Sequence, residues 1–307
     1  MPPQDLLDIA PEVADALAAG QATVALESTV IAHGLPYPAN VETTQAMLAA
    51  VRAAGAVPAL IAIAEGRIRV GAGDTLLERL AAAPEVAKVS RADLAPVLAG
   101  GGLGATTVAG TMICAALAGI RVFATGGIGG VHRDAQATMD VSADLHELAR
   151  TPVAVVCSGA KSILDLPATL EVLETLGVPV IGYGTDRFPA FYQQATDLPL
   201  RARADGPAEA AAMLAAQRQL GMGGALVAVP VPAAHALPTE TVETWTKLAV
   251  HEAATAGIRG GALTPYLLRR VAALSGGQTL GANRALLVNN ARVAGEIAAA
   301  LAIQGRP

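Results

Sequence analysis

Short runs at residues 22–26, 57–64, 121–125, 153–157, 178–182 and 225–229 are apolar along nearly their whole length instead of at alternate positions, and helical segments separate them. A strand with one wet face alternates apolar and polar residues. A strand without alternation is buried on both faces, which happens in a parallel sheet covered by helices on either side. The expected fold class is α/β: a mostly parallel central sheet with helices on both faces and a helical C-terminal region from about residue 239. No internal repeat, low-complexity tail or Ser/Pro-rich linker divides the chain, so residues 1–307 read as a single α/β domain.

Leu6, Leu7, Ile9, Val13 and Leu17 recur at helical spacing and predict a helix over 5–18. Residues 57–64 and 67–71 flank Glu65-Gly66 as a hairpin, Asn40 and Ser90 read as helix caps, and 278–283 reads as a turn before a last helix over 282–303. The passage 94–120 carries no charge and is long enough to cross a bilayer by count. Gly, Ala and Thr dominate it, a GG-x-G break precedes Ala105, and it runs directly into a strand, so a buried helix over 105–118 is expected and no membrane partner. No basic n-region or apolar h-region is visible at the start, so no secretory signal is read and a cytoplasmic location is expected. The formal charge of −5 hides no basic block and aromatics are 3% of residues, which leaves nucleic-acid binding without its electrostatic or stacking footprint. Cys114 and Cys157 lie inside apolar runs without metal-ligand spacing and read as buried thiols.

The chain has 18 arginines but only three lysines, Lys88, Lys161 and Lys247. An ε-amine can lose its proton and attack carbon while a guanidinium cannot, so Lys161, after the strand 153–157 and the Ser158-Gly159 turn, suggests amine chemistry. A solvated lysine in a first helical turn is the alternative. Ile163, Leu164, Leu166, Leu170, Val172 and Leu173 predict a helix opening at Lys161, whose positive end would favour the free amine. Ligands of open α/β sheets collect at the carboxyl ends of strands, which selects Glu27-Ser28, residues 126–133 and residues 158–161. Glu27, against an apolar wall, can hold a proton as a general acid, or it can cap the amides of its own turn.

GGIGGVHR lacks the G-x-G-x-x-G spacing, but its exposed amides with His132 and Arg133 suit a phosphate. GAKS is no P-loop, because Ala154 stands where the upstream glycine belongs. Asp140, Ser142 and Asp144 can hold a hard divalent ion through oxygens and waters, or simply start a helix at Ser142. Asn289-Asn290, paired amides in an apolar helix, suit either base recognition or interhelical hydrogen bonding.

ALESTVIAHGLPYPAN, GRIRVG, KVSRADL, TMICAALAGIRVFATGGIGGVHR, MDVSADLHELARTPVAVVCSGAKSILD, FPAFY, LTPYLLRRV and the NNAR segment together resemble the pseudouridine-5'-phosphate glycosidase family, from about residue 9 to residue 303. The resemblance implies cleavage or formation of the C–C glycosidic bond between ribose 5-phosphate and uracil. Protonating a heteroatom cannot release a carbon-linked base, so the two-carboxylate scheme is insufficient, and an amine that attacks C1' and opens the ribose supplies the missing chemistry. By resemblance Lys161 is the nucleophile, Glu27 the proton donor and Asp140 the manganese-linked aspartate. Lys88, the Val108 backbone and Ser142, Ala143 and Asp144 match substrate-binding positions, with Lys88 and His132 at the phosphate and Asn290, less directly Asn289, at the base. A homotrimer is also implied.

The chain departs from the family pattern at Asp134 and Gln136 and over 193–196, where Gln193-Gln194-Ala195-Thr196 stands. Against a C-glycosidase stand two other readings, a sugar-phosphate kinase and a non-catalytic sensor of a nucleotide or sugar phosphate. ATP consumption marks the first, and binding without turnover the second.

Overall fold

The computed structural model describes residues 4–304. Its strands are β1 Leu7–Ile9, β2 Thr23–Leu26, β3 Val57–Ala64, β4 Arg67–Val70, β5 Ala87–Val89, β6 Gly104–Thr106, β7 Val122–Ala124, β8 Ala154–Cys157, β9 Val180–Tyr183, β10 Ala202–Ala204 and β11 Ala225–Ala228. All eleven join one sheet in the order β1-β4-β3-β2-β7-β8-β11-β9-β10, with β6 added to β3 and β5 to β6. From β3 through β2 and on to β10 every pairing is parallel; β4 and β6 run antiparallel to β3. The parallel strands β2, β7, β8 and β11 are buried at every residue, as the absence of alternation requires.

Helices cover both faces. Ala39–Ala53, Pro207–Gln219 and the long Gln278–Gln304 pack together, the last lying across β2, β7 and β8. Val108–Ala118 and Ala143–Arg150 pack on each other against the opposite face. Gln278–Gln304 is long and apolar enough to cross a membrane by composition, but half of its apolar window is buried inside the protein, as in the core helix of a globular fold.

β3 divides the sheet. Val57–Leu60 pairs with β2, whereas Ile61–Ala64 leaves β2 and pairs with β4 on one edge and, through Ala62 and Ile63, with β6 on the other. The expected hairpin around Glu65-Gly66 is the β3–β4 turn, both residues lying at positive φ.

The structure corrects several sequence expectations. Residues 5–18 are not one helix: β1 pairs in parallel with β4, and the helix Pro11–Ala18 begins at a proline. Leu7 and Ile9 fit either period, and covering the edge of β4 decides for the strand. Residues 104–106 form β6 and the apolar helix begins at Val108. Asn40 lies inside the helix Ala39–Ala53, where its amide donates to Ile31 O at 2.8 Å. Gln278–Gln304 is helical throughout, without the turn expected at 278–283. Ser90 does cap the short helix Arg91–Asp93, its amide donating to Asp93 Oδ2 at 2.9 Å.

Two glycines in helices test this packing. A Cβ on Gly110 would lie 2.4 Å from the Val89 carbonyl oxygen of β5, while a Cβ on Gly281 meets nothing within 4 Å. Gly→Ala in a helix normally gains about 1 kcal/mol. Gly281→Ala is therefore expected to raise Tm slightly and Gly110→Ala to lower it by roughly 4 °C or more, a loss of at least about 2 kcal/mol. Thermal unfolding of both variants checks this, and a Tm gain in Gly110→Ala contradicts the β5 contact.

Candidate active site

The chain leaves β2 toward β3 on one side, while β7, on its other side, connects onward to β8. Connections diverging from neighbouring strands open a crevice at their carboxyl ends. A cavity of about 560 Å³, counted with its open mouth, lies there, lined by Glu27, Thr29, His33, Lys88, Lys161 and Phe191 among others.

Glu27 directly follows β2 and is buried. Thr125 and Thr29 hydroxyls donate to its two carboxylate oxygens, Oε1 and Oε2 respectively. Burial raises its pKa above the ordinary carboxylate value, against the positive charge of Lys161 and the two hydroxyl bonds, which pull it down. The sequence left open whether Glu27 capped its own turn; its partners are side-chain hydroxyls, and its face is on the cavity.

Lys161 shares that wall, but it does not open a helix. The helix begins at Leu166, capped by Asp165, whose Oδ1 accepts from Ala168 N at 3.0 Å. Residues between β8 and this cap run beside the β7 loop instead: Lys161 N donates to Ile128 O at 3.1 Å and Asp165 N to Val131 O at 2.9 Å. The helix-dipole argument for Lys161 therefore does not hold. Ile163 and Leu164 are buried by the turn itself, which is why their spacing imitated a helix. The turn depends on Gly159, at φ +78, where a Cβ would lie 2.2 Å from the Pro189 carbonyl oxygen.

Lys88 reaches the same cavity from β5. Burial lowers its pKa first and the charge of Lys161 next, while Asp144, Glu27 and Asp140 oppose the shift. Two lysines and three carboxylates thus act on one another around a single crevice.

The glycine-rich loop after β7 differs from its expected phosphate cradle. Ile128, Gly129, Val131 and His132 amides donate to Gly159 O, Asp144 Oδ2, Thr169 Oγ1 and Asp140 O. Its glycines serve close packing: Cβ atoms on Gly127, Gly129 and Gly130 would lie 2.7, 2.3 and 2.4 Å from Phe191, Ser142 and Thr169 side chains. Arg133 is engaged by Glu243 at 2.9 Å and by the Ser162 carbonyl at 3.2 Å.

Ser142 caps the helix Ala143–Arg150, its Oγ accepting from Asp144 N at 3.2 Å, so the helix-start reading of this cluster is correct. Ala143 is exposed in the first turn. Asp144 is buried and accepts from Ala109 N at 2.9 Å and Gly129 N at 2.8 Å, which ties the loop to the helix Val108–Ala118. Val108 opens that helix; with Ala109 N given to Asp144 and Gly110 N to Thr107 Oγ1, the Val108 amide has no partner among the described residues. Asp140 is half-buried, and its Oδ2 lies 3.9 Å from Nε2 of the buried His132.

Asn290 is fully buried beneath the cavity and does not line it. Its amide donates to Thr125 O at 2.9 Å and Ser158 Oγ at 3.1 Å, tying the end of β7 to the turn after β8. Asn289 points elsewhere, accepting from Arg292 at 2.9 Å. The interhelical reading was nearer the outcome, with strand ends in place of a second helix. Two turns earlier in the same helix, Asn283 lines the cavity with Thr264, and neither was singled out from the sequence. Phe191, at φ +60, presses its ring on Gly127 and closes the wall. Its FPAFY context was a signal, though not of this role. The departures lie outside the cavity lining: Asp134 and Gln136 are exposed, and Thr196 bonds Phe188 O at 2.8 Å within the loop carrying Phe191.

The chain matches the family described as Indigoidine synthase A like protein over residues 12–300. It is 57% identical over 300 residues to a pseudouridine-5'-phosphate glycosidase of Methylobacterium nodulans, covering 97% of this chain and 89% of that protein. A protein of the same name from Rhodospirillum centenum is 62% identical over 299 residues, covering 97% and 93%. Among solved structures, the prealnumycin C-glycosynthase AlnA in complex with ribulose 5-phosphate superposes with a TM-score of 0.91 at 45% identity, covering 98% of this chain and 99% of that one. An indigoidine synthase A-like protein from Thermotoga maritima gives 0.88 at 32% identity, covering 97% of each. A shared fold, end-to-end coverage and identities above one half make this chain a member of the indigoidine synthase A-like family, on its pseudouridine-5'-phosphate glycosidase branch.

Proposed function

We propose that this protein is a C-glycosidase that reversibly cleaves pseudouridine 5'-phosphate to uracil and ribose 5-phosphate. The observation that carries the proposal is a buried Glu27, its pKa raised by that burial, and a lysine amine, Lys161, on one cavity wall. A carbon-linked base leaves only if C1' gains electrons while the base carbon gains a proton. Addition of the Lys161 amine to C1' forms the C–N bond; the ribose ring opens at C1'–O4', the nitrogen losing a proton and O4' gaining one. The nitrogen lone pair then forms C=N as the C1'–C5 bond breaks, and Glu27 delivers its proton to the departing carbon. Water hydrolyses the protonated imine, releasing ribose 5-phosphate, restoring the amine and returning a proton to Glu27. Lys88 and the unpartnered Val108 amide at its helix N-terminus offer positive potential for the phosphate.

The sugar-phosphate chemistry of AlnA favours this reading over a kinase. The donor set fits a hydrated divalent ion, manganese by family resemblance. Asp144 is already held by two backbone amides, which leaves Asp140 as the free carboxylate, and no group of three His, Cys, Asp or Glu forms a cage among the described residues. Hard cations of this kind keep several waters. Such an ion would lend positive charge to substrate oxygens. We further infer a homotrimer and a cytoplasmic location, which sedimentation and cell fractionation would check.

Borohydride added with substrate should fix a sugar-phosphate adduct on Lys161, visible by peptide mass. Lys161→Arg is expected to lose turnover by at least about 10³-fold, and Lys247→Arg to keep it, since Lys247 is 72% exposed beside Glu243. Equal activity in both would remove the nucleophile.

Glu27 is needed protonated, so uracil release should fall as pH rises through its raised pKa, and Glu27→Gln should be inactive at every pH. The same burial costs stability. A carboxyl whose folded pKa is raised stabilises the fold fully below its unfolded value and loses that contribution as pH climbs through the folded one. Glu27→Gln should therefore melt above wild type at pH 8, by roughly 2 °C, and not at pH 4. A lower Tm at both pH values would show that the hydroxyl bonds, not burial, dominate.

Chelation should reduce turnover and manganese restore it, while Asp140→Asn should need more than about tenfold more metal for half-maximal rate. Full activity in chelator counts against the ion.

A further inference from the structure

His33 lines the cavity beside Lys88, and its Nε2 is buried without a hydrogen-bond partner among the described residues. It sits in a five-residue π-helical turn, Val30–Gly34. That geometry is uncommon and concentrates at functional sites. The turn is well anchored: Ile31 N and Ala32 N both donate to Ser28 O, and Asn40 donates to Ile31 O. A ring held this firmly, with one nitrogen unsatisfied at a cavity wall, has a vacancy that a ligand or a proton can fill.

Burial and the charge of Lys88 both disfavour the imidazolium, and the Val86 carbonyl favours it weakly. The other ionisable groups on the wall are Glu27 and Lys161. Helices packed on the turn bring Glu42, which pairs with Arg284, Arg79, which pairs with Glu65, and Arg270, which pairs with Glu252, together with Arg52, Asp74, Glu78, Tyr266 and Arg269. Of all these, Lys88 alone has a charge that acts on His33. A phosphate monoester arriving at Lys88 reverses that balance, since a dianion offsets the ammonium and attracts a second positive charge.

We infer that His33 is a substrate-contacting residue that takes up a proton as the sugar phosphate binds, so that His33 and Lys88 together clamp the phosphate monoester. The inference rests on the proposed sugar-phosphate reading of the same cavity. The proton comes from solvent and returns there on release, with no bond to carbon made or broken at the ring.

Titration calorimetry of ribose 5-phosphate at pH 7, in buffers of different ionisation enthalpy, reads the proton directly. Wild type should take up more protons than His33→Asn; inorganic phosphate should reproduce the difference and unphosphorylated ribose should not. KM for pseudouridine 5'-phosphate should rise about tenfold in His33→Asn near pH 6.5 with kcat within about twofold. The gap should close toward about pH 8.5, where the wild-type ring stays neutral too. A merely structural role would not produce that pH dependence. If His33→Asn does not fold, ¹⁵N-histidine spectra of the wild type replace it, ribose 5-phosphate moving the His33 ring from neutral to imidazolium shifts. Equal proton uptake and KM in both proteins, or an unmoved ring, overturns the inference while uracil release by wild type leaves the C-glycosidase standing. A wild type that releases no uracil and binds no ribose 5-phosphate overturns both.

Discussion

The parting of β3 from β2 after Leu60 is the constraint on which the site depends. β2 ends at Leu26, so the backbone of Ile61–Ala64 must find partners elsewhere, and β4 and β6 supply them. The opening this creates is sealed by a buried polar knot. Thr106 N donates to Ser28 Oγ at 2.9 Å, and Thr106 Oγ1 donates to Ile61 O at 3.0 Å and lies 2.8 Å from Thr111 Oγ1. Ser28, Thr106 and Thr111 are wholly inaccessible, and an unsatisfied group among them would cost about 1–3 kcal/mol. The knot fixes Ser28, and with it the neighbouring Glu27. It also fixes β6, and through β6 the β5 residue Lys88, which pairs with Ala105. Two strands remote in sequence thereby bring an acid and an amine to one crevice.

The other half of the crevice is held from below. Asn290 ties the end of β7 to Ser158, and Gly159 lets the chain turn so that Lys161 rises into the cavity. Asp144 does the equivalent at the side, pinning the glycine-rich loop to the helix of Val108. Asn290 and Asp144 are buried polar groups whose hydrogen bonds are satisfied by backbone and, for Asn290, by the Ser158 hydroxyl as well. What they contribute is position, and the groups left for chemistry are those with free valence toward the cavity: Glu27, Lys161, Lys88 and His33.

Much of the architecture was legible because burial on both faces leaves a one-sided record in sequence. β3, β7, β8 and β11 are apolar throughout, as is β2 but for Thr23, and all five lie within a residue or so of their expected places. β1, β5, β6 and β10 are three residues each and, unlike the equally short β7, are not marked off by an apolar run of strand length. Glu27 and Lys161 were legible as polar residues placed just beyond apolar strands. The setting of Lys161 was not, because an apolar turn buried on a neighbouring loop carries the same Ile-Leu-Leu spacing as a helix. Asn290 stood out for the right reason, an amide in an apolar helix, but sequence could not tell an amide that binds a ligand from one that binds strand ends. Asn283 and His33 were missed because each acquires its meaning from neighbours more than fifty residues away, Phe191 for the first and Lys88 for the second.

An acid and an amine in one buried site would ordinarily form an ion pair, and a paired lysine is a poor nucleophile. Here the competition is decided by burial. Thr29 and Thr125 each occupy one oxygen of Glu27, and among the described residues Glu27 forms no ion pair, although Lys161 is near enough for its charge to act on it. A carboxylate would gain from both hydroxyls and from the lysine, whereas burial favours the neutral acid, which needs no counter-charge. Burial prevails and raises the pKa of Glu27, which favours the neutral acid, and no ion pair binds the lysine to it among the described residues. A desolvated pocket for the acid is therefore what leaves the amine unpaired, and the hydroxyls that hold the acid in place come from Thr29, one residue past Ser28, and Thr125, just past β7.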